Sequence, residues 1–342
     1  MGLDQISKLV AKIYLSSIPL KNSVMKNIVL SLLVAILVIG CQSKETVEIP
    51  EVIIDTLTID RHMAVLASDE FMGRKPFTEG EEKTIYYLES ELKAMGVMPG
   101  NGDSYFQDVP LVEITGTQSP TMKIRGKGKS FDFETGRSVV VYTERVEEEV
   151  SIKDSELVYA GFGIVAPEYG WNDYDGLDVK GKTVVVLVND PGFGSGDSTL
   201  FKGDQMTYYG RWTYKYEEAA RQGAAGVLIV HETVPAGYPW MVVESSWTGA
   251  KLNLDDANPP YKCAIQGWIT RNTAVALFRE AGIKDYSDLA KSKDFKPISI
   301  GLTASVSVTN VIKRDMSRNV IGMVKGTKRP DEYIIYSAHW DH

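Results

Sequence analysis

Two of the four histidines and a carboxylate lie in the last four positions of the sequence, at the end of the stretch YIIYSAHWDH. An apolar run at 333–336 comes first, and His339 and Asp341 follow it with one residue between them. In open α/β sheets, ligands bind beyond the carboxyl ends of the strands. With the apolar run as a buried strand, His339 lies where such a site forms. Asp341 then points to the same side of an extended segment.

These residue types at this spacing suit metal coordination. Neutral imidazole is a good zinc ligand, and a metal-bound histidine usually donates its other ring N–H to a carboxylate. His339 therefore fits a zinc ligand, and Asp341 fits the carboxylate that orients it. On spacing alone, a strand-end loop with incidental polar residues is the alternative.

The rest of the chain offers few other candidates for chemistry. It has no G-x-S-x-G or H-E-x-x-H motif. His62 and His231 have no neighbour of ligand type in the sequence, which indicates surface or internally satisfied histidines. Cys263 is one of only two cysteines, so we expect a buried apolar thiol and no disulfide framework.

Length and charge limit the class of protein. The 342 residues are enough for two domains, with 44% hydrophobic and 24% charged residues. The net charge of −8 argues against nucleic acid as a partner, because a nucleic-acid-binding domain carries a basic patch.

Residues 25–41, MKNIVLSLLVAILVIGC, predict an export signal. Its apolar run is shorter than the roughly 20 residues that span a membrane, and a basic start before a short apolar core is typical of a secretory signal. The ending VIGC resembles a bacterial lipobox, in which Cys41 is lipidated and becomes the mature N-terminus. An ordinary signal peptide is the alternative.

The segments around the signal follow from that interpretation. Met25 is then the true start, and residues 1–24 are a mis-assigned extension; an unusually long basic n-region is the alternative. Residues 42–55 predict a tether. We expect an exported protein anchored by lipid in the cell envelope. The outer membrane or cell surface is preferred, because Gln42 and Ser43 after the cysteine lack the aspartate that signals inner-membrane retention in some bacteria.

Periodicity predicts a chain of helices and strands with an α/β unit inside it. A helix is expected from a capping box at Thr78 and Glu81 to a C-terminal cap at Gly96. The apolar run at 183–188, a helix near YKYEEAARQ and a strand at 226–230 predict parallel pairing. Further strands are expected at 305–311, 317–324 and 333–336.

Two separate stretches resemble one enzyme family. NVIGMVKGTKRPDEYIIYSAHWDH is similar to the entry to the catalytic centre of the di-zinc aminopeptidases, metallopeptidase family 28, which also includes glutamate carboxypeptidases. ASDEFMGRKPFTEGEEKTIYYLESELKAMGVMPG resembles the opening loop and first helix of that family, whose form is S-D-x-x-x-G-R-x-x-G-T. Phe77 stands where a glycine is common.

The region between these stretches resembles a protease-associated domain, through LVYAGFGIVAPEYGWNDYDGLDVKGKTVVVLV and RWTYKYEEAARQGAAGVLIVHE. The resemblance implies an α/β fold, a partial zinc-exopeptidase α/β/α sheet interrupted by an inserted α/β domain. Residues 56–149 would begin the peptidase domain, 150–305 would form the insertion, and 306–342 would resume the peptidase domain.

The resemblance also implies roles. His339 would be a ligand of one of two zinc ions, and Asp341 would orient it in the catalytic centre. Peptides or proteins would be the substrates, and the membrane would be reached through lipid on Cys41. The other family ligands follow this motif, so we expect the N-terminal part of a longer enzyme, inactive by itself. Aminopeptidase or carboxypeptidase activity stays open, and the alternative is a non-catalytic lipoprotein that binds peptides or proteins through its protease-associated domain.

Overall fold

The computed structural model describes residues 53–257 and 260–341. The predicted extension, the signal peptide, Cys41, most of the tether and His342 lie outside the described residues. The chain divides into two compact units, one ending at Arg61 and one beginning at His62. Within the described residues, no helix combines the length and the apolar character that crossing a membrane requires.

The helices are mostly short. The described helices, numbered in chain order, are α1 Thr56–Leu66, α2 Glu79–Ala94, α3 Trp212–Arg221, α4 Thr233–Ala236, α5 Trp240–Ser246, α6 Arg271–Glu280 and α7 Tyr286–Ala290. A short 3-10 segment at Asp69–Arg74, interrupted by a kink at Met72 and Gly73, precedes α2.

The strands carry most of the fold. They are β1 Met98–Pro99, β2 Phe106–Gln118, β3 Thr121–Gly126, β4 Lys129–Glu134, β5 Val139–Tyr142, β6 Glu149–Tyr159, β7 Val165–Ala166, β8 Trp171–Asn172, β9 Thr183–Leu187, β10 Gly226–His231, β11 Ala250–Leu254, β12 Ile265–Thr270, β13 Ile298–Val320 and β14 Gly322–Met323.

One large mixed sheet organises the second unit. Its order is β11-β2-β13-β6-β9-β10-β12-β5, with β3 paired to β13 and β4 paired to β3. Strands β6, β9, β10 and β12 run parallel, and the strands on either side of them pair antiparallel. This mixed sheet with its helices confirms the α/β class. The α/β/α layering and the inserted domain stay predictions.

The parallel centre is buried on both faces. Every residue of β9 and β10 is buried, as expected for strands covered by packing on each side. Val184 and Val186 pack in one core cluster, and Val185 and Leu187 pack in the other. The predicted unit of β9, α3 and β10 with parallel pairing is confirmed.

The chain near residue 300 forms one long strand where the sequence predicts two. Strand β13 runs without a break from Ile298 to Val320 and pairs with β2 from Val308 to Val320. Strand conformation at 305–311 and over most of 317–324 is thus confirmed, and only the prediction of two separate strands was wrong. The polar residues Lys313, Arg314 and Asp315 lie within this strand, where β2 supplies a continuous backbone partner.

The strand expected at 333–336 was also wrong. The structure assigns no strand there, and the side chains of Ile334 and Tyr336 are 86% and 94% exposed. A strand needs a neighbour to satisfy its backbone hydrogen-bonding groups, and no described segment pairs with these residues.

The two predicted domain boundaries both fall inside strands. The boundary at 149/150 lies at the start of β6, and the boundary at 305/306 lies within β13. Strand β5, which precedes the predicted insertion, pairs with β12 inside it. The division into peptidase and protease-associated parts stays a prediction.

Candidate functional site

His339 and Asp341 are in contact at the end of the described chain. Nδ1 of His339 lies 3.2 Å from Oδ1 of Asp341. A carboxylate only accepts hydrogen bonds, so in the neutral ring Nδ1 carries the proton and Nε2 keeps its lone pair. This is the tautomer that a metal-binding histidine with an orienting carboxylate adopts. The side chain of His339 is 92% exposed and that of Asp341 is 45% exposed.

Two hydrogen bonds hold Trp340, the residue between His339 and Asp341. Arg74 Nε donates to the carbonyl oxygen of Trp340 at 2.9 Å, and Trp340 Nε1 donates to the carbonyl oxygen of Arg318 at 3.0 Å. Arg74 also donates through Nη1 to the carbonyl oxygen of Leu66. The segment with His339 and Asp341 is thus fixed on one side by its backbone and on the other by its indole.

Arg74 reaches Trp340 from an unusual turn. Met72, Gly73 and Arg74 have φ angles of 48°, 70° and 57°, a left-handed conformation that costs free energy for residues other than glycine. Phe71, just before them, is buried and packs edge-on against Tyr87 with ring centroids 5.9 Å apart. The buried ring anchors the turn from which Arg74 reaches the carbonyl oxygens of Leu66 and Trp340.

Glu81 joins this turn to helix α2 and strand β13. Its Oε2 accepts from the backbone N–H of Phe77 and its Oε1 accepts from the hydroxyl of Ser317, both at 2.7 Å. The predicted capping box was half wrong. Glu81 does reach back to a backbone N–H, but the Thr78 hydroxyl donates to the carbonyl of Lys75 and caps no helical N–H. Gly96, with φ of 72°, ends the helix as predicted.

The described residues do not fit a zinc ion. Zinc sites in proteins use three or four ligands, and the described residues contain no group of three or more His, Cys, Asp or Glu side chains that could hold a metal. His339 supplies one imidazole, and Asp341 is its hydrogen-bond partner. The roles predicted for these two residues stay predictions.

The other predicted residues lie elsewhere. His231 is buried with Nε2 3.0 Å from the carbonyl oxygen of Tyr238, and His62 Nδ1 lies 2.8 Å from the Tyr87 hydroxyl. Both have the partners expected of non-ligand histidines. Cys263 is buried as predicted, and burial raises the pKa of its thiol to about 12. Lipidation of Cys41 stays a prediction.

A nucleotide-type motif at 176–183 does not form a phosphate site. GLDVKGKT matches the pattern G-x-x-x-x-G-K-[ST], which binds phosphate where a strand leads into a helix. Here the motif leads into strand β9 at Thr183, whose hydroxyl is buried 2.8 Å from that of Ser155. Lys182 pairs with Glu156 at 2.9 Å. These contacts make the motif part of the sheet packing.

No protein-family profile and no curated protein matches the chain. Among solved structures, an aminopeptidase from Aneurinibacillus sp. strain AM-1 matches with a TM-score of 0.38 and 20% identity, over 80% of this chain and 49% of its own. BSAP, a zinc aminopeptidase from Bacillus subtilis, matches with a TM-score of 0.28 and 14% identity, over 79% and 47%. The chain thus spans about half the length of each of these solved structures.

Proposed function

We propose that this chain is the N-terminal part of an exported, zinc-dependent exopeptidase that removes residues from the N-termini of peptides. The observation that carries the proposal is the hydrogen bond from Arg74 to Trp340, residues 266 apart in the sequence. It joins the two stretches that separately resemble one peptidase family, at the place where that family begins its metal site.

His339 and Asp341 have the roles that their contact supports. His339 Nε2 is the metal-binding atom, and Asp341 fixes the ring through Nδ1. A single imidazole cannot hold zinc, so the other ligands of the two-ion site come from residues outside this chain. The 342-residue chain alone is therefore inactive.

The placement of the enzyme follows from its N-terminal sequence. The signal at 25–41 exports the protein, lipid on Cys41 anchors it in the outer membrane or at the cell surface, and residues 42–55 act as the tether. Residues 150–305 form an inserted protease-associated domain that restricts access of peptide substrates. Nucleic acid is not a partner, in keeping with the net charge of −8.

The test uses the protein encoded by the entire reading frame, beside the 342-residue chain. We measure zinc content by mass spectrometry and hydrolysis of leucine 4-nitroanilide, for the wild type and for His339→Ala and Asp341→Asn. Asp331→Asn, an exposed carboxylate in the same segment, is the matched control.

The entire protein is expected to hold zinc and hydrolyse the substrate. His339→Ala should lower both, and Asp341→Asn should lower zinc affinity by about 10–100-fold, as the loss of an orienting carboxylate does. Full zinc occupancy and activity in His339→Ala would disprove the proposed ligand. A reading frame that stops at His342, or stoichiometric zinc in the isolated chain, would contradict the proposal as well.

A further inference from the structure

A cavity of about 420 Å³ lies between the two ends of the large sheet, with β11 on one side and β5 and β12 on the other. Its walls are mainly aromatic and come from β5, β12, α3, α5 and the loop before α5. The aromatic residues that line it are Tyr142, Trp212, Tyr238, Trp247 and Trp268. The Tyr142 and Trp247 rings approach to 4.1 Å between centroids, and those of Trp212 and Trp247 to 5.6 Å. Cavities of this size with aromatic walls and a few polar groups are typical ligand sites.

The polar groups of the cavity include hydrogen-bond donors that lack an acceptor. Trp268 is 1% exposed, and its Nε1 has no hydrogen-bond partner in the described structure. Nδ2 of Asn253 is buried and equally unpartnered there. Buried polar groups are normally paired, and because both nitrogens expose less than 1 Å² beside the cavity, an occupant would reach them only after a side-chain rotation.

The charges at the cavity disfavour a cationic or anionic occupant. The Glu144 carboxylate is paired with Lys262 Nζ at 2.7 Å and accepts from the Tyr142 hydroxyl at 3.1 Å. Lys251 Nζ donates to the carbonyl oxygen of Ser246. An aromatic cage that selects cations needs an uncompensated negative field, and here each charge already has a partner. The occupant that fits is uncharged.

The cavity opens onto the unpaired side of β11. Lys251, Leu252 and Asn253 all line it, although successive side chains of a strand point to opposite faces. The cavity must therefore abut the edge of the strand. In the described sheet, β11 pairs only with β2.

The free edge of β11 offers backbone groups for pairing. Asp255 N–H donates to the carbonyl oxygen of Pro110. Along an antiparallel strand, every second residue directs its backbone N–H and C=O towards the partner strand. The backbone groups of residues 251 and 253 therefore also face β2. The N–H and C=O of Leu252 then point away from β2, towards the open edge.

We propose that this edge and cavity form a peptide-binding site, in which an extended segment pairs with β11 and places a large uncharged side chain among the aromatic rings. Strand addition at a free edge supplies affinity through main-chain hydrogen bonds, and the adjoining pocket selects the side chain. The site goes beyond the proposed peptidase function, and it requires neither zinc nor His339.

The experiment is calorimetric titration of the full chain with an N-acetylated, C-amidated hexapeptide of small β-branched residues around a central phenylalanine. A second hexapeptide has the same side chains but N-methyl groups on alternate backbone nitrogens, so it cannot complete a strand ladder. A third replaces the central phenylalanine with glycine. We expect each change to weaken binding by about tenfold or more, the effect of lost main-chain bonds or of a lost aromatic anchor.

Variants of the protein separate the pocket from the edge. Trp247→Ala removes an aromatic wall, and its control is Met241→Ala, at an exposed position of helix α5, which Trp247 directly follows. Leu252→Pro removes only an outward-facing N–H, which an edge strand tolerates, and Leu252→Ala controls for the side chain. Trp247→Ala and Leu252→Pro should each weaken binding by about tenfold, and Met241→Ala should not.

Three outcomes would overturn the proposal. Absence of binding at about 1 mM hexapeptide would mean that the site has no useful peptide affinity. Equal binding of the N-methylated peptide would rule out pairing with β11. Saturable binding of cellohexaose, a neutral oligosaccharide, in place of the peptide would assign the aromatic cavity to sugars.

Discussion

Nε of Arg74 lies 2.9 Å from the carbonyl oxygen of Trp340, and this bond joins a left-handed turn near the start of the second unit to the segment that carries His339 and Asp341. Hydrogen bonds from charged donors contribute about 1.5–3 kcal/mol. We expect Arg74→Ala to release Trp340. Its indole N–H, bonded to Arg318, should then exchange with solvent about tenfold faster or more, for a loss of that size.

The measurement is the indole N–H signal of Trp340 in NMR spectra, assigned with Trp340→Phe. Arg137→Ala is the control, because that side chain is 83% exposed and lies in the turn between β4 and β5. Arg74→Lys should restore the signal only in part, since a single ammonium replaces a planar guanidinium that reaches two carbonyls. An unchanged signal in Arg74→Ala would show that Trp340 is held without this bond.

Glu81 provides a second test of the same region. It is 4% exposed and accepts two hydrogen bonds, from Phe77 N–H and Ser317 Oγ. Glu81→Ala leaves both donors without their acceptor, so we expect a loss of about 1–3 kcal/mol in the free energy of unfolding in urea.

Glu82→Ala is the matched control for that experiment. Glu82 is half exposed and makes a 3.6 Å ion pair with Arg318, and exposed pairs contribute about 0–1 kcal/mol. Equal losses for the two variants would mean that Glu81 acts as a surface charge and does not join α2 to β13.

The sequence predicts correctly those elements in which every residue meets the same kind of environment, such as a strand buried on both faces. The run Thr183–Leu187 is apolar at nearly every position, which is typical of a strand covered on both faces. The full length of strand β13 cannot be predicted in this way, because the residues from Lys313 to Asp315 are polar. Their strand conformation comes from backbone pairing with β2, which depends little on side-chain type.

Some features of the candidate site can likewise be predicted from the sequence, and others cannot. The spacing of His339 and Asp341 predicts a shared side, and the structure places their side chains in contact. The apolar run at 333–336 does not become a strand, because pairing requires a neighbour that the described chain does not place there. The bond from Arg74 to Trp340 could not be predicted, since it depends on three left-handed residues and on a partner 266 positions away.

His231 predicts a dependence of stability on pH. Burial lowers the pKa of its imidazole, although the nearby Glu232 and the carbonyl of Tyr238 act in the opposite direction. The folded-state pKa then lies below the unfolded-state pKa. The contribution of the neutral ring to stability is present above the unfolded-state pKa of about 6.5, and it is lost as pH falls through the folded-state value.

The check is urea unfolding at several pH values between about 7.5 and 5. The wild type should lose stability across this range, and His231→Gln, which keeps a hydrogen-bond donor for Tyr238, should lose less. Parallel curves for the two proteins would show that His231 does not contribute to the acid sensitivity.

Gly267 tests how closely the sheet is packed where β12 lies between β10 and β5. A Cβ at this position would meet the carbonyl oxygen of Val140 at 2.3 Å and Cγ1 of Val141 at 2.9 Å. The first of these atoms is backbone in a paired strand and cannot rotate away. We expect Gly267→Ala to lower the free energy of unfolding by about 1–3 kcal/mol, the usual cost of overpacking.

Gly326→Ala is the control, because the nearest atom to its new Cβ would be 3.6 Å away. There we expect no loss, or a gain of about 0.4–1 kcal/mol from the stiffer unfolded chain. If Gly267→Ala were as stable as this control, β5 and β12 would be able to move apart, and the aromatic cavity that Tyr142 and Trp268 line at this end of the sheet would lack a rigid wall.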